Sequence, residues 1–363
     1  MPFLYEHIRI AQSHGHRRLG SLLDVASRPP TIRTSSDSPP LGHFIKRLDL
    51  LIPALEWAQL SPDPSPAYSP APQLCKLSPN LVTLITTAAG DCKGFPLSDV
   101  ISPTLEYVHF LDYFAMHVSE WATFMDHHPR LAYMDSPMFI ERSKFKLPID
   151  WEVKSWPSVR EIVLRPLCGC NEFPPGAFPN LQRLKTLSFS RLGLESVYSL
   201  VSIHGRSLTS LYLPRTFGRW HNFEEVQKMV NESCPKLKEL MFEMRYPGGS
   251  WNPTKSDPLP SHVQIPGVLV LGVRSAKDNY ANLFWEHFYD EALKLTTFFP
   301  NARTIRLFDE QNVVCLQNYP ESLMSFLKDC KSRGICAKDH AEQPLSAHLA
   351  SISIGFIPER VAP

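Results

Sequence analysis

Three short clusters in this sequence carry residue types that bind metals or move protons. Cys168 and Cys170 form a "CGC" pair, His14 and His16 an "HGH" pair, and Asp126, His127 and His128 run together as "DHH". A zinc site needs four N, S or O donors, in practice two pairs at a recognisable spacing. The CGC pair has no second pair to meet it, and two cysteines beside a strand exit are more often small buried residues than metal ligands. The HGH pair falls on a loop. The DHH run falls at a helix end, where an imidazolium would suit the macrodipole. Other chemistries are no better supplied. The chain has no G-x-S-x-G elbow, no phosphate-cradling glycine loop followed by Lys-Ser/Thr, and no H-E-x-x-H. Asn231 opens the triplet "NES", a glycosylation acceptor only in a secreted chain. No nucleophile is accompanied by a base. The expectation is a protein with no catalytic residues, no metal and no cofactor.

The elements that would carry these residues are constrained by composition. The chain has 363 residues, 43% hydrophobic and 20% charged, with a formal net charge of +1. That is the balance of a folded protein that can bury a large core, and it favours neither nucleic acid nor an acidic membrane surface. The 34 prolines argue for many interrupted elements rather than a few long helices. The 8 cysteines are scattered, unlike a secreted disulfide framework. The start "MPFLYEHIRI" lacks a basic n-region followed by an apolar run, and no stretch approaches the roughly 18 apolar residues of a membrane helix. A cytoplasmic or nuclear location is expected.

The informative regularity is a repeated apolar spacing. In "CPKLKELMFEM", Leu237, Leu240 and Phe242 stand at positions one, four and six, two residues behind Pro235. The same spacing recurs with first positions at 45, 81, 105, 131, 159, 184, 208, 237, 268 and 302. At the sixth copy two frames fit, beginning at Leu181 or Leu184. In seven of the ten a proline stands two residues ahead of the first apolar position: Pro79, Pro103, Pro129, Pro157, Pro235, Pro266 and Pro300. The last two apolar positions, two apart, face the same side of a short strand. The proline ends one element before the next begins. Between strands lie helix-patterned segments. Phe114, Val118, Trp121, Phe124 and Met125 share one face, and so do Phe223, Val226, Met229 and Val230 behind a candidate N-cap at Asn222. "NLFWEHFYDEALKLTTFF" repeats the design. Steps of 24–36 residues reach from the range of a leucine-rich repeat to longer copies with inserted loops. The expected fold is α/β: a leucine-rich-repeat solenoid, an arch or horseshoe of about ten irregular repeats, with a parallel inner sheet and outer helices. The fold to beat is an ordinary doubly wound α/β domain.

Residues alternating with the buried pair should then line the inner, concave face. They are Tyr107 and His109, Tyr133 and Asp135, Glu161 and Arg165, Tyr212, Glu239 and Glu243, Arg274, Arg306 and Phe308. Tyr and Arg are common anchors of protein interfaces, and the mixed signs suit an ordered protein better than a polyanion. Three proline-rich stretches are read as excursions: residues 28–40, residues 61–72, which could also form a polyproline II ligand, and residues 245–262. In the last, Trp251 is either an exposed contact or a lid packed back on the array.

"LYEHIRI", "GHFIKRLDL", "SPNLVTLI" and "CPKLKELMF" resemble the F-box/leucine-rich-repeat proteins of mushroom-forming fungi, over roughly residues 4–335. The resemblance implies a substrate-binding arm of an SCF ubiquitin ligase. In that family a segment like "LYEHIRI" lies just behind an F-box, the module that docks on the Skp adaptor. Only three residues precede Leu4 here, so the F-box is expected to be missing, through an incomplete gene model or a genuine truncation. Adaptor binding would then require an upstream F-box. Residues 1–44 are read as an N-terminal cap and first unit, 45–335 as the solenoid, and 336–363 as an irregular or disordered tail. The expected partner is an unknown protein, with no nucleic acid and no membrane. The alternatives are an adaptor-independent protein-binding scaffold, or an enzyme on a doubly wound sheet.

Overall fold

The structure is a computed structural model. It describes residues 6–11, 15–28, 39–51, 70–86, 100–111, 115–135, 138–139, 153–164, 173–186, 191–216, 223–245, 260, 262–275, 282–307 and 320–345. The chain divides into two compact units: residues 1–182 with 190–200, and residues 183–189 with 201–363.

The N-terminal unit carries β1 (His7–Ala11), β2 (Arg47–Leu51), β3 (Thr83–Thr86), β4 (Tyr107–Phe110), β6 (Tyr133–Asp135) and β8 (Glu161–Leu164). Each pairs in parallel with the next in this order. Two short strands, β5 (Ala115–Met116) and β7 (Met138–Phe139), form a separate parallel pair. The C-terminal unit carries β9 (Arg183–Thr186), β10 (Ser210–Thr216), β11 (Glu239–Arg245), β12 (Val270–Ser275), β13 (Thr304–Leu307) and β14 (Cys336–Lys338), again parallel and in sequence order. The described α-helices are α1 (Gly15–Ser27), α2 (Pro70–Lys76), α3 (Val118–His127), α4 (Arg191–His204), α5 (Phe223–Ser233), α6 (Asn282–Leu295) and α7 (Pro320–Ser332). The fold is therefore α/β with parallel strands.

The apolar spacing becomes register. Leu48, Leu84, Val108, Met134 and Ile162 stand side by side across neighbouring strands, as do Leu211, Leu240, Leu271 and Ile305, and all are buried. The first apolar position closes a tight turn. Leu81, Leu105, Leu131, Val159, Leu208, Leu237 and Ala302 each donate a backbone N–H to the carbonyl three residues earlier. The proline sits inside this turn, where its missing N–H is not required. The next two amides both donate to one carbonyl immediately before the preceding strand, as Ala132 and Tyr133 do to Glu106.

At the sixth copy the structure selects the Leu181 frame. Leu184 pairs with Leu211, the second apolar position of its strand, and Leu181 donates to Phe178 in the turn. Pro179 thereby joins the proline series. The helices cover the apolar side. Phe223, Val226, Met229 and Val230 of α5 are buried, and the Phe223 ring lies 5.5 Å from that of Phe242 on β11. In α3, Trp121, Phe124 and Met125 are buried, while Phe114 lies outside the described residues.

The expected irregular tail is corrected at its start. Cys336–Lys338 is a strand in register with β13, and an Asp339–Gln343 turn leads to buried Leu345. Ala337 and Asp339 occupy the positions that Leu fills elsewhere, so no apolar pair announced this strand.

Candidate functional site: the open face of the parallel strands

Alternation along a strand sends the apolar side chains to the face that the described helices cover and the polar ones to the opposite face, called here the open face. On the open face of the N-terminal unit, the structure brings together five of the residues expected there. Tyr107 and Tyr133 are register partners whose rings stack 4.0 Å apart at 9°. Burial raises the pKa of both phenols, with Asp135 adding to the effect. Asp135 is fully buried. Its carboxylate accepts from the Phe110 backbone N–H at 2.7 Å, continuing the strand pairing after the β4–β6 ladder stops. His109 Nδ1 lies 2.9 Å from Asp135 Oδ2, close enough for an ion pair but outside hydrogen-bond geometry. Glu161 is the register partner of Tyr133 and is half-buried. Arg165 lies outside the described residues.

The same face holds a cluster that the sequence reading passed over. Arg47 donates from Nε and Nη2 to Asp49 at 2.9 and 3.0 Å, and His7 Nε2 lies 3.0 Å from Asp49 Oδ2. Burial works to raise the Asp49 carboxyl, but the bonds from Arg47 and His7 outweigh it and hold the group below its ordinary range. The signal was present: Arg47 and Asp49 alternate with Leu48 and Leu50 just as Tyr107 and His109 alternate with Val108 and Phe110.

In the C-terminal unit the open face centres on Tyr212, which is only 3% exposed. Its hydroxyl donates to Glu243, Arg274 also bonds it, and Lys185 Nζ lies 4.9 Å from the ring centroid. Burial, then the Glu243 charge, push the phenol far up. Arg306 donates to Glu342 at 2.9 Å and to the His340 carbonyl at 2.8 Å, with Glu239 3.9 Å away. Lys185 and Glu342 were not foreseen, and Phe308 lies outside the described residues.

The candidate metal ligands resolve differently. Cys168 and Cys170 lie outside the described residues, as do the side chains of the HGH pair. In the DHH run, Asp126 takes hydrogen bonds from Lys154 and from the Trp156 indole at 3.1 Å. His128 is buried and held neutral: Nδ1 bonds the Phe124 carbonyl while Nε2 accepts the Ser102 amide. Burial lowers its pKa to about 4, so His128 does not supply an imidazolium at this helix end at neutral pH. Among the described residues, no group of three or more His, Cys, Asp or Glu is placed to hold a metal ion. A pocket of about 510 Å³ opens between Asp126, His128, Lys154, Trp156 and Ser158. It lies beside the turns before β6 and β8, at the N-terminal ends of strands. No helix among the described residues is long and apolar enough to cross a membrane. No protein-family model matches the chain, and no curated protein matches it.

Proposed function

We propose that the chain is a leucine-rich-repeat solenoid of about ten irregular repeats that recognises a protein partner through the open face of its strands and performs no catalysis. By resemblance it acts as the substrate-binding arm of an SCF ubiquitin ligase, in the cytoplasm or nucleus. It engages the Skp adaptor only where an F-box precedes it. The observation that carries this reading is the composition of that face. Tyr107, Tyr133 and Glu161 in one unit, and Lys185, Arg274 and Arg306 in the other, stand at alternating strand positions on rigid, hydrogen-bonded strands. Aromatic and Arg side chains held on regular structure lose little entropy when a partner arrives.

The test is affinity capture from lysate with the full chain, compared with Glu161→Arg and Arg306→Ala variants and with a control, Met324→Glu, at a residue 53% exposed on α7. Partners lost with the two face variants and kept with the control support the reading. Partners indifferent to both face variants overturn it.

A further inference from the structure

Resting on the reading that the open face holds a protein, we propose that the face of the C-terminal unit takes an acidic segment of that partner. The strand positions on this face carry Arg183 and Lys185 on β9, Arg274 on β12, Arg306 on β13 and Lys338 on β14. Its acids at described strand positions are Glu239 and Glu243, and both are already engaged: Glu243 by Tyr212, Glu239 by the Arg306 guanidinium. At these described strand positions cations outnumber acids, which makes the row complementary to carboxylates.

A carboxylate from outside the strands already docks there. Glu342, on the turn after β14, reaches Arg306 at 2.9 Å with its side chain 64% exposed. Its φ is 65°, the left-handed region that disfavours any residue with a Cβ. A bond made by so exposed a carboxylate is exchangeable. An incoming Glu or Asp that meets the same guanidinium displaces the Glu342 carboxylate, while the turn stays held by the Glu342 N–H on the Asp339 carbonyl and the Gln343 N–H on the Asp339 carboxylate.

The row through the face favours a peptide over a nucleic acid. Lys185, Tyr212, Met241, Gly272, Arg306 and Lys338 stand in register; Tyr212 and Gly272 are buried, which leaves half-buried Met241 as the uncharged residue within reach between the cationic ends. An acidic peptide with an apolar residue between its carboxylates matches that order. A phosphate backbone would run its charges past Glu239 and Glu243.

The test is fluorescence anisotropy on the full chain with a fluorescein-labelled Glu/Leu peptide, its Lys/Leu counterpart, and oligothymidine of similar length. The Glu/Leu peptide binds, and it weakens as salt rises. Lys338→Glu weakens it by about tenfold. Glu342→Gly tightens it by about threefold, since it removes the competing carboxylate and supplies the residue the φ prefers. That variant keeps the fold, so it decides the matter even where charge reversal unfolds the edge strand. Equal binding of both peptides, tighter binding of oligothymidine, or no change in either variant overturns the proposal. Probe failure with lysate capture still dependent on the face overturns the acidic class alone. Failure of both overturns the reading beneath it.

Discussion

Asn301 donates its side-chain amide to the carbonyl of Pro266 at 3.0 Å, and Pro266 occupies the same place one strand earlier that Pro300 occupies beside Asn301. The relation repeats. Asn180 donates to Pro157 at 3.0 Å, Thr104 to Pro79 at 2.9 Å, Asn80 to His43 at 2.9 Å, and Ser158 to Pro129. At five of the eight prolines a short polar side chain directly after the proline thus ties its turn to the one before. These carbonyls cannot join the strand ladder, because they precede it.

Removing one tie should cost about 1 kcal/mol, the net value of a single hydrogen bond at a site water can reach. Asn301→Leu and Asn180→Leu are each expected to lower the unfolding free energy by that amount, read as a lower urea midpoint with an unchanged slope. A midpoint equal to the parent's would mean that water replaces the amide at no loss.

Two glycines mark where consecutive turns come closest. A Cβ on Gly42 would lie 2.2 Å from the Leu77 carbonyl oxygen, and one on Gly205 would lie 2.6 Å from that of Ser233. Both obstacles are backbone and cannot swing aside. A Cβ on Gly267 would meet the Leu237 carbonyl at 3.5 Å, an ordinary contact. Gly42→Ala and Gly205→Ala should each destabilise the chain by about 1–3 kcal/mol through overpacking. Gly267→Ala should stay within about 0.5 kcal/mol of the parent. Thermal melts of the three variants separate close approach from a general loss of glycine freedom.

How far the sequence revealed this arrangement depends on the kind of interaction. Burial of Leu84, Val108, Ile162 and Leu240 was legible because strand alternation is local and the buried residues are all apolar. The frame at Leu181 was not, because Leu181, Leu184 and Leu187 follow one another at steps of three and fill either frame; the Phe178 turn decides between them. Strand β14 was missed because Ala337 and Asp339 stand where Leu was sought. The polar face was legible as a set of positions but not as a set of partnerships. That Tyr212 meets Glu243, or Arg47 meets Asp49, depends on side-chain reach across the open face, and no spacing encodes it.

Thiol reactivity follows from burial. Cys75, Cys234 and Cys330 are buried and their thiols are pushed up to about 12, while Cys336 is exposed on the edge strand. Only the thiolate reacts with alkylating agents. Under native conditions iodoacetamide should label Cys336 well before the other three, as read by mass-spectrometric peptide mapping. Simultaneous labelling would show that the turns around Cys75 and Cys234 open readily.

His128 ties two turns of the N-terminal unit together and should make its stability fall with acid. The neutral ring presents Nδ1–H to Phe124 and an Nε2 lone pair to the Ser102 amide. A proton on Nε2 would face that N–H and break the bond. Burial holds the folded pKa at about 4, whereas an unfolded histidine titrates near 6.5. Between these values the unfolded chain binds a proton that the folded chain refuses. Stability is therefore full above about pH 6.5, falls as pH drops, and levels off below about pH 4. The loss amounts to about 3 kcal/mol across that window. Urea titrations at pH 7 and pH 4.5 should show it, and His128→Gln should abolish the slope while lowering stability at pH 7. A parent slope that persists in His128→Gln would assign the acid sensitivity to another group.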